Sequence, residues 1–299
     1  MQLAVVIVTW NVRELARQAL QTLYADLDEF DAQVYVVDSA SSDGTVEALR
    51  AEFPQADIYA SPENLGFAAG NNHAIRRIMA LENPPQAVYL LNPDTITHPG
   101  ATRTLYNALM AEPDLGLVGA RLSYEDGSFQ HAAFAFPGLR QLWVEFFPTP
   151  GRWIEGRFNG RYPRAWYDSG QPFDVDFTLG ATMMLKYKVI QQTGMFDENF
   201  FMYCEEIDWA WRIHQAGWRV KCVPAAHITH LSGQSTGQVK PQSVVNLWKS
   251  RLYLFEKHYP AWKLTLAKRL VVLGMKRKIR QADSSELIHA YQTVIEMAT

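Results

Sequence analysis

Val88-Tyr89-Leu90-Leu91-Asn92-Pro93-Asp94-Thr95 is the stretch whose reading decides the fold. Val88 to Leu91 form a short apolar run, bounded by Pro84-Pro85 before it and Pro93 after it, so it reads as a buried strand. Pro93 has no N–H to give to a ladder and stops the sheet. Asp94 is therefore expected just beyond the C-terminal end of a strand, where open α/β sheets place their ligands. A carboxylate in that position is a candidate metal ligand. The competing reading is a polar turn made by Asp94 and Thr95, and the flanking segments decide between the two.

Upstream, Leu3 to Thr9 is a β-branched run of the kind found in strands covered on both faces. Leu15, Ala19, Leu20 and Leu23 follow at helical spacing, and Val34 to Val37 repeats the strand pattern and ends in Asp38, which completes a βαβ unit. A helix is expected from about Val46 to Ala51, a strand at Ile58–Ala60, and a helix opening at Asn64-Leu65-Gly66 and running to about Ala80. After the opening strand come a helix near Ala101 to Met110 and a strand from Leu115 to Ala120. This alternation implies a mostly parallel sheet with right-handed crossovers. No G-x-G-x-x-G follows the first strand and no G-x-x-x-x-G-K-[ST] loop occurs, so a nucleotide site would be of another kind. Asp38, at a strand end, can accept hydrogen bonds from a ribose or a base. For Asp43, beside Gly44, an Asx turn is preferred.

Downstream, Tyr124 to Ser128 reads as a hairpin turn. Phe134 to Phe173 is rich in aromatic rings, whose commoner fate is packing and whose rarer one is contact with a sugar. Phe177 to Leu185 reads as one strand containing Gly180. Glu205, Glu206 and Asp208 fall in the first turn of a helix that Gly217 stops. Acids there interact favourably with the helix dipole whether or not they catalyse anything. Val220–Val223 and Ala226–Leu231 read as two short strands, and His227 and His230 on the second face opposite ways, so at most one of them serves a site. Gly233-Gln234-Ser235-Thr236-Gly237 matches the G-x-S-x-G nucleophile elbow literally. That motif needs a helix directly after it, and Lys240-Pro241 makes a poor one. Three helices close the chain, over Ser243–His258, Ala261–Arg280 and Ser284–Met297.

Length and composition set the frame. At 299 residues and 48% hydrophobic content the chain is globular with ample core. A net charge of -3 gives no sign of a nucleic-acid partner, yet Lys240 to Arg280 holds eleven Lys/Arg against the single acid Glu256. Such helices can lie on an anionic membrane surface or present a solvated face. Cys204 and Cys222 lack zinc-site or disulfide spacing, which favours a reducing compartment. There is no basic leader at the start and no run near the ~20 apolar residues that span a bilayer. The expected location is cytoplasmic, with peripheral contact at the inner face of the membrane through the basic C-terminal helices.

Val6–Asn11, Val36–Thr45, Asn64–Asn72, Leu91–Thr95, Gly194–Glu198 with Phe200–Tyr203, Glu205–Asp208 and His230–Thr236 together resemble the inverting family 2 glycosyltransferases of the GT-A fold. The likeness is strongest to their bacterial rhamnosyltransferase-like branch, and it covers roughly residues 3 to 258. The resemblance implies an α/β fold with a GT-A-type, mostly parallel central sheet flanked by helices and a helical C-terminal extension. Residues 1–240 would form the glycosyltransferase domain, with a nucleotide-binding half (1–120) and an acceptor and catalytic half (121–240), and residues 241–299 the helical region.

It further implies a nucleotide-diphosphate-sugar donor, with dTDP-rhamnose the one expected, bound by Thr9, Asn11, Asp38, Gly66, Asn71, Asn92 and Asp94. The acceptor would be a cell-surface glycan precursor or a lipid-linked one. Asp94 occupies the position of the family's D-x-D-like motif, of which Asn92-Pro93-Asp94 keeps only one carboxylate, and His230 matches a second metal ligand. A divalent cation, Mn²⁺ or Mg²⁺, is expected there, and imidazole suits Mn²⁺ better. Inversion needs a carboxylate that takes the acceptor's proton. Glu206 stands at the family's base position, one methylene longer than the usual Asp, with Glu205 and Asp208 as alternatives. Two other functions remain open: a catalytically inactive nucleotide-sugar-binding subunit, and a serine hydrolase using Ser235.

Overall fold

The computed structural model describes residues 1–27, 30–231 and 240–299. The Gly233–Gly237 motif with its Ser235 lies outside the described residues.

The first half alternates as the apolar periodicity demands: β1 (Leu3–Thr9), α1 (Arg13–Asp26), β2 (Ala32–Asp38), α2 (Thr45–Glu52), β3 (Asp57–Ala60), α3 (Gly66–Met79), β4 (Ala87–Leu91), β5 (Thr95–Thr97), α4 (Ala101–Ala111) and β6 (Leu115–Ser123). The second half is more irregular: β7 (Phe129–Gln130), β8 (Ala133–Phe134), α5 (Leu139–Phe146), α6 (Gly151–Ile154), α7 (Arg164–Asp168), β9 (Phe173–Asp174), β10 (Phe177–Thr178), β11 (Thr182–Lys186), α8 (Tyr187–Thr193), α9 (Glu205–Gln215) and β12 (Arg219–His230). Three helices finish the chain, α10 (Lys240–His258), α11 (Ala261–Ile279) and α12 (Ser285–Ala298).

The central sheet runs β3-β2-β1-β4-β11-β6-β12-β5, with β7 and β9 off this path. β3, β2, β1 and β4 are mutually parallel, as are β6 and β12. β11 is antiparallel to both β4 and β6, and β5 is antiparallel to β12. Every residue of β4 is buried, as a strand covered on both faces requires. Each fully buried Leu, Ile or Val contributes roughly 1.5–3 kcal/mol, so β1 and β4 form the stable spine of the sheet. The strand directions bring the C-terminal ends of β1, β2, β4, β6 and β12 to one edge, together with the first residues of β5 and β11. That edge carries the site.

Two strand expectations are corrected. Phe177–Leu185 is not one strand: β10 ends at Thr178, Leu179 N donates to Ala132 O at 2.8 Å, and Leu179 to Ala181 turn before β11 begins. Conversely, Val220–Val223 and Ala226–Leu231 belong to a single strand, β12, whose register against β6 shifts between Val223 and His227. Pro224 sits in that shift, where its missing N–H costs no ladder bond.

The aromatic segment mostly packs. Phe146, Tyr162 and Tyr167 are buried, while Trp143, Trp153 and Trp166 remain partly open. A second core unites the C-terminal helices with α5, through Leu142, Phe146, Trp248, Phe255, Val271, Met275 and Val294. A third, with Phe177, Phe200, Ile207 and Leu254, fastens α9 to β10 and α10.

Candidate functional site

At the ends of β1 and β2 the side chains tie two loops together. Asp38 is 1% exposed, and its Oδ1 accepts from Thr9 Oγ1 at 3.1 Å while its Oδ2 accepts from Ser41 N at 2.8 Å. Asn11 N donates to Ser41 Oγ and Asn11 Oδ1 accepts from Ser42 N, both at 2.8 Å. Asp43 makes the expected local turn, its Oδ1 accepting from Thr45 N at 3.1 Å. Thr9, Asn11 and Asp38 are thus brought together, and Asp38 keeps only its remaining lone pairs for a ligand.

At the end of β4, Asn92 N donates to Ala181 O at 3.0 Å and Thr95 Oγ1 donates to Asn92 O at 2.7 Å. Pro93 turns the chain, and β5 then pairs His230 with Thr95. Leu231 N donates to Asp94 O at 2.9 Å, and Asp94 Oδ1 comes to 3.4 Å from His230 Nε2, with both side chains nearly buried. The two residues that the resemblance paired are therefore neighbours. His227, on the opposite face, stacks on His98 at 4.0 Å and hydrogen-bonds Ser123 Oγ, away from this pair.

A hard carboxylate oxygen beside an imidazole nitrogen suits a divalent cation that tolerates nitrogen. Among the described residues no group of three or more His, Cys, Asp or Glu could hold a metal ion. Asp94 and His230 fit such a cation only if further oxygens come from a bound ligand. The buried Asn92 Oδ1, without a hydrogen-bond partner, marks the same place as built for a polar guest.

The acids of α9 reach this edge from the other side. Gly180, in the turn between β10 and β11, lies where an added Cβ would be 3.8 Å from Glu206 Cβ, and the next residue, Ala181, takes the Asn92 N–H. Glu205 is 5% exposed and Glu206 half-buried; one oxygen of each, Oε2, is buried with no partner. Burial pushes Glu206 up to about 7, against the opposing pull of backbone N–H groups at the helix start. Burial, and then the charge of Glu206, push Glu205 well above the usual carboxylate range. The pair therefore keeps a proton at neutral pH, with Glu206 the member open to a substrate.

Asp208 differs. Its Oδ1 takes His258 Nε2 at 2.7 Å and Lys257 Nζ at 2.8 Å, and its Oδ2 takes Arg212 Nε at 2.9 Å. Burial alone would raise it, but those hydrogen bonds and charges outweigh burial and hold it below the usual range. An acid so engaged fixes α9 on α10 and has little basicity left for chemistry.

The acid pair strains the fold in a testable way. Folded protein holds protons on Glu205 and Glu206 from about pH 4.5 up to about 7 and beyond, where unfolded chain has released them. Stability on their account is greatest below the unfolded value and falls as pH rises through the folded ones. Glu205→Gln should therefore melt a few degrees above the wild type at pH 8, with the gap closing towards pH 4.5. Calorimetry across that range checks the sign.

Gly66 and Asn71 have roles inside the fold. Gly66 has a φ of +71° and a Cβ there would meet Phe201 O at 2.6 Å; Asn71 is 2% exposed and donates to Phe67 O at 2.9 Å. Gln130, absent from the sequence reading, approaches His230 Nδ1 with its Nε2 at 3.2 Å. Also unforeseen is the strain. Asn11, Ala40, Tyr203 and Cys204 are the non-glycine residues with positive φ among the described residues, and each lies within two residues of the β1 end, Asp38 or Glu205. Such residues cost of order 1–3 kcal/mol each and concentrate where function needs a fixed geometry.

Residues 4–163 match the family model described as Glycosyl transferase family 2. The N-acetylglucosaminyl-diphospho-decaprenol L-rhamnosyltransferase of Mycobacterium tuberculosis (strain CDC 1551 / Oshkosh) is 26% identical over 245 residues, covering 80% of this chain and 79% of the relative. Among solved structures, the mannosyltransferase PcManGT from Pyrobaculum calidifontis in complex with GDP-Man and Mn²⁺ matches with a TM-score of 0.57 at 18% identity, over 99% of this chain and 74% of that one. GalNAc-T7 with UDP, GalNAc and Mn²⁺ matches with a TM-score of 0.61 at 13% identity, over 100% of this chain and 56% of that one. At these identities the structural matches speak for the fold, which is the α/β sheet architecture with a helical C-terminal region that the resemblance implied.

Proposed function

Since the chain belongs to glycosyl transferase family 2 and is a glycosyltransferase, we propose that it transfers a sugar, with inversion, from a nucleoside-diphosphate donor to a glycan or lipid-linked acceptor. The observation that carries this reading is the convergence of Asp38, the Asp94–His230 pair and the open acid Glu206 on one edge of the sheet. The donor is dTDP-rhamnose, a choice supported by the rhamnosyltransferase relative. In this reading the reaction runs in the cytoplasm. No helix among the described residues is long and apolar enough to cross a membrane.

In this reading the loops joined by Thr9, Asn11 and Asp38 carry the nucleoside. Gly66 and Asn71 support that wall from α3, and Asn92 Oδ1 meets a donor hydroxyl. Asp94 and His230 would hold a divalent cation, Mn²⁺ or Mg²⁺, and such an ion would supply Lewis-acid neutralisation of charge at the diphosphate. Glu206 takes the proton of the acceptor hydroxyl as its oxygen bonds to the anomeric carbon. The bond from that carbon to the diphosphate oxygen breaks on the opposite face, and its electron pair leaves with the diphosphate. Glu205 keeps its proton, burial raises the basicity of Glu206, and Asp208 holds α9 in position.

Gln130 sets the state of His230. With Gln130 Nε2 donating to Nδ1, the ring proton sits on Nε2 and faces Asp94; half a turn of the amide presents Oε1, buried and otherwise unpartnered, to an Nδ1 proton. Nε2 is then free to bind a cation. Gln130→Leu should weaken Mn²⁺ binding in the presence of dTDP by about 10–100-fold. Titration followed by the Mn²⁺ EPR signal measures this apart from turnover.

A nucleotide-sugar-binding subunit without turnover is disfavoured by the unpaired acid pair, which costs stability and adds nothing to binding alone. The function is tested by incubating the protein with a panel of nucleotide-sugars and Mn²⁺. Rhamnose transfer or slow hydrolysis of dTDP-rhamnose supports the assignment, and stabilisation with turnover of a different donor alone replaces the sugar.

A further inference from the structure

The helix α11 turns two different faces outward and inward. Its inner face packs Ala267, Val271, Gly274 and Met275 into the C-terminal core, so closely that a Cβ on Gly274 would overlap the ring of Phe146. Its outer face carries Trp262 at 61% exposure, Leu266 at 40% and Leu273 at 57%. At about 100° per residue these three fall within roughly 40° of one another. Arg269, Lys276 and Arg277 share that exposed side, with Arg280 just after the helix. α11 contains no acid, and residues 240–280 hold eleven of the 28 Lys/Arg of the chain against one Glu. Trp143, three residues before Phe146 on the adjoining α5, is 47% exposed as well.

A solvated helix face alternates acids with bases, and single exposed apolar residues need no explanation. A stripe of Trp and Leu set among cations without any acid is different. A second copy of the chain docking face to face would set these cations against each other. An anionic lipid surface matches both features, because the apolar tips enter the acyl boundary while the cations meet the headgroups. We propose that the outer face of α11 is the surface by which this protein seats itself on an anionic bilayer. α11 packs on α10, whose Lys257 and His258 grip Asp208 of the helix that presents Glu206. This inference does not depend on the donor, the acceptor or the metal.

The test is flotation of the full chain with vesicles that contain no acceptor, made of phosphatidylcholine alone or mixed with phosphatidylglycerol. The protein should float with the mixed vesicles, less so at high salt, and scarcely with phosphatidylcholine. Trp262→Ser/Leu266→Gln/Leu273→Gln should keep the wild-type melting temperature and lose about tenfold or more in partitioning. Arg269→Glu/Arg277→Glu should remove the preference for anionic lipid, since each cation near such a surface raises partitioning about fivefold. Absence of flotation, or flotation of the triple variant like the wild type, overturns the proposal. So does a triple variant that dissolves an oligomer in sedimentation while floating unchanged.

Discussion

Glu206→Gln should lower kcat about a thousandfold, within the span expected for loss of a general base, and leave donor affinity within about twofold. The substitution keeps the shape of the side chain and removes its ability to take a proton. In the wild type, turnover should rise with pH through a limb near the value of about 7 to which burial pushes Glu206, and that limb should vanish in the variant. Steady-state kinetics across pH, with donor affinity measured separately, reads both effects. Asp208→Asn should act differently. It leaves Lys257, Arg212 and His258 short of a buried partner, and loss of one member of such a network typically costs about 3–5 kcal/mol. Its damage should appear in the melting curve before it appears in the pH profile. Retained turnover in Glu206→Gln, with collapse in Glu205→Gln, would move the base to Glu205.

Asp94→Ala should reduce metal-dependent transfer by about a thousandfold or more, because charge stabilisation of a leaving diphosphate by a cation is worth several kcal/mol. The fold should survive. The Asp94 main-chain oxygen, which takes the Leu231 N–H, remains in the variant, and β4 and β5 rest on the buried core around them. Unchanged melting with lost turnover at saturating Mn²⁺ is the expected combination. Turnover close to the wild type would remove Asp94 from the mechanism.

The parts of this account that rest on local chemistry were legible in the sequence. Pro93 after four buried residues placed Asp94 at a strand end, and β-branched runs with helical spacing between them gave the parallel sheet. What depends on distant partners was hidden. Gln130 reaches His230 only because a two-residue strand lies along β6, whose pairing no local pattern marks. The difference between Glu205 and Glu206 is one of exposure, and that of Asp208 is set by Lys257 and His258 on a helix far along the chain. Phe177–Leu185 departs from one strand for a related reason: Thr178, Gly180 and Thr182 fit strand alternation, but the Leu179 N–H is claimed by Ala132. The left-handed backbone at Ala40, Tyr203 and Cys204 had no glycine to announce it.

The proposed mechanism rests on Asp94 and His230 together holding a divalent cation with the diphosphate of the donor. Pulsed EPR on Mn²⁺ bound to the protein with dTDP tests it most directly. Modulation from a histidine nitrogen is expected in the wild type and should be lost in His230→Ala, with little Mn²⁺ bound in Asp94→Ala. Tight Mn²⁺ and dTDP binding without any histidine nitrogen signal would contradict it.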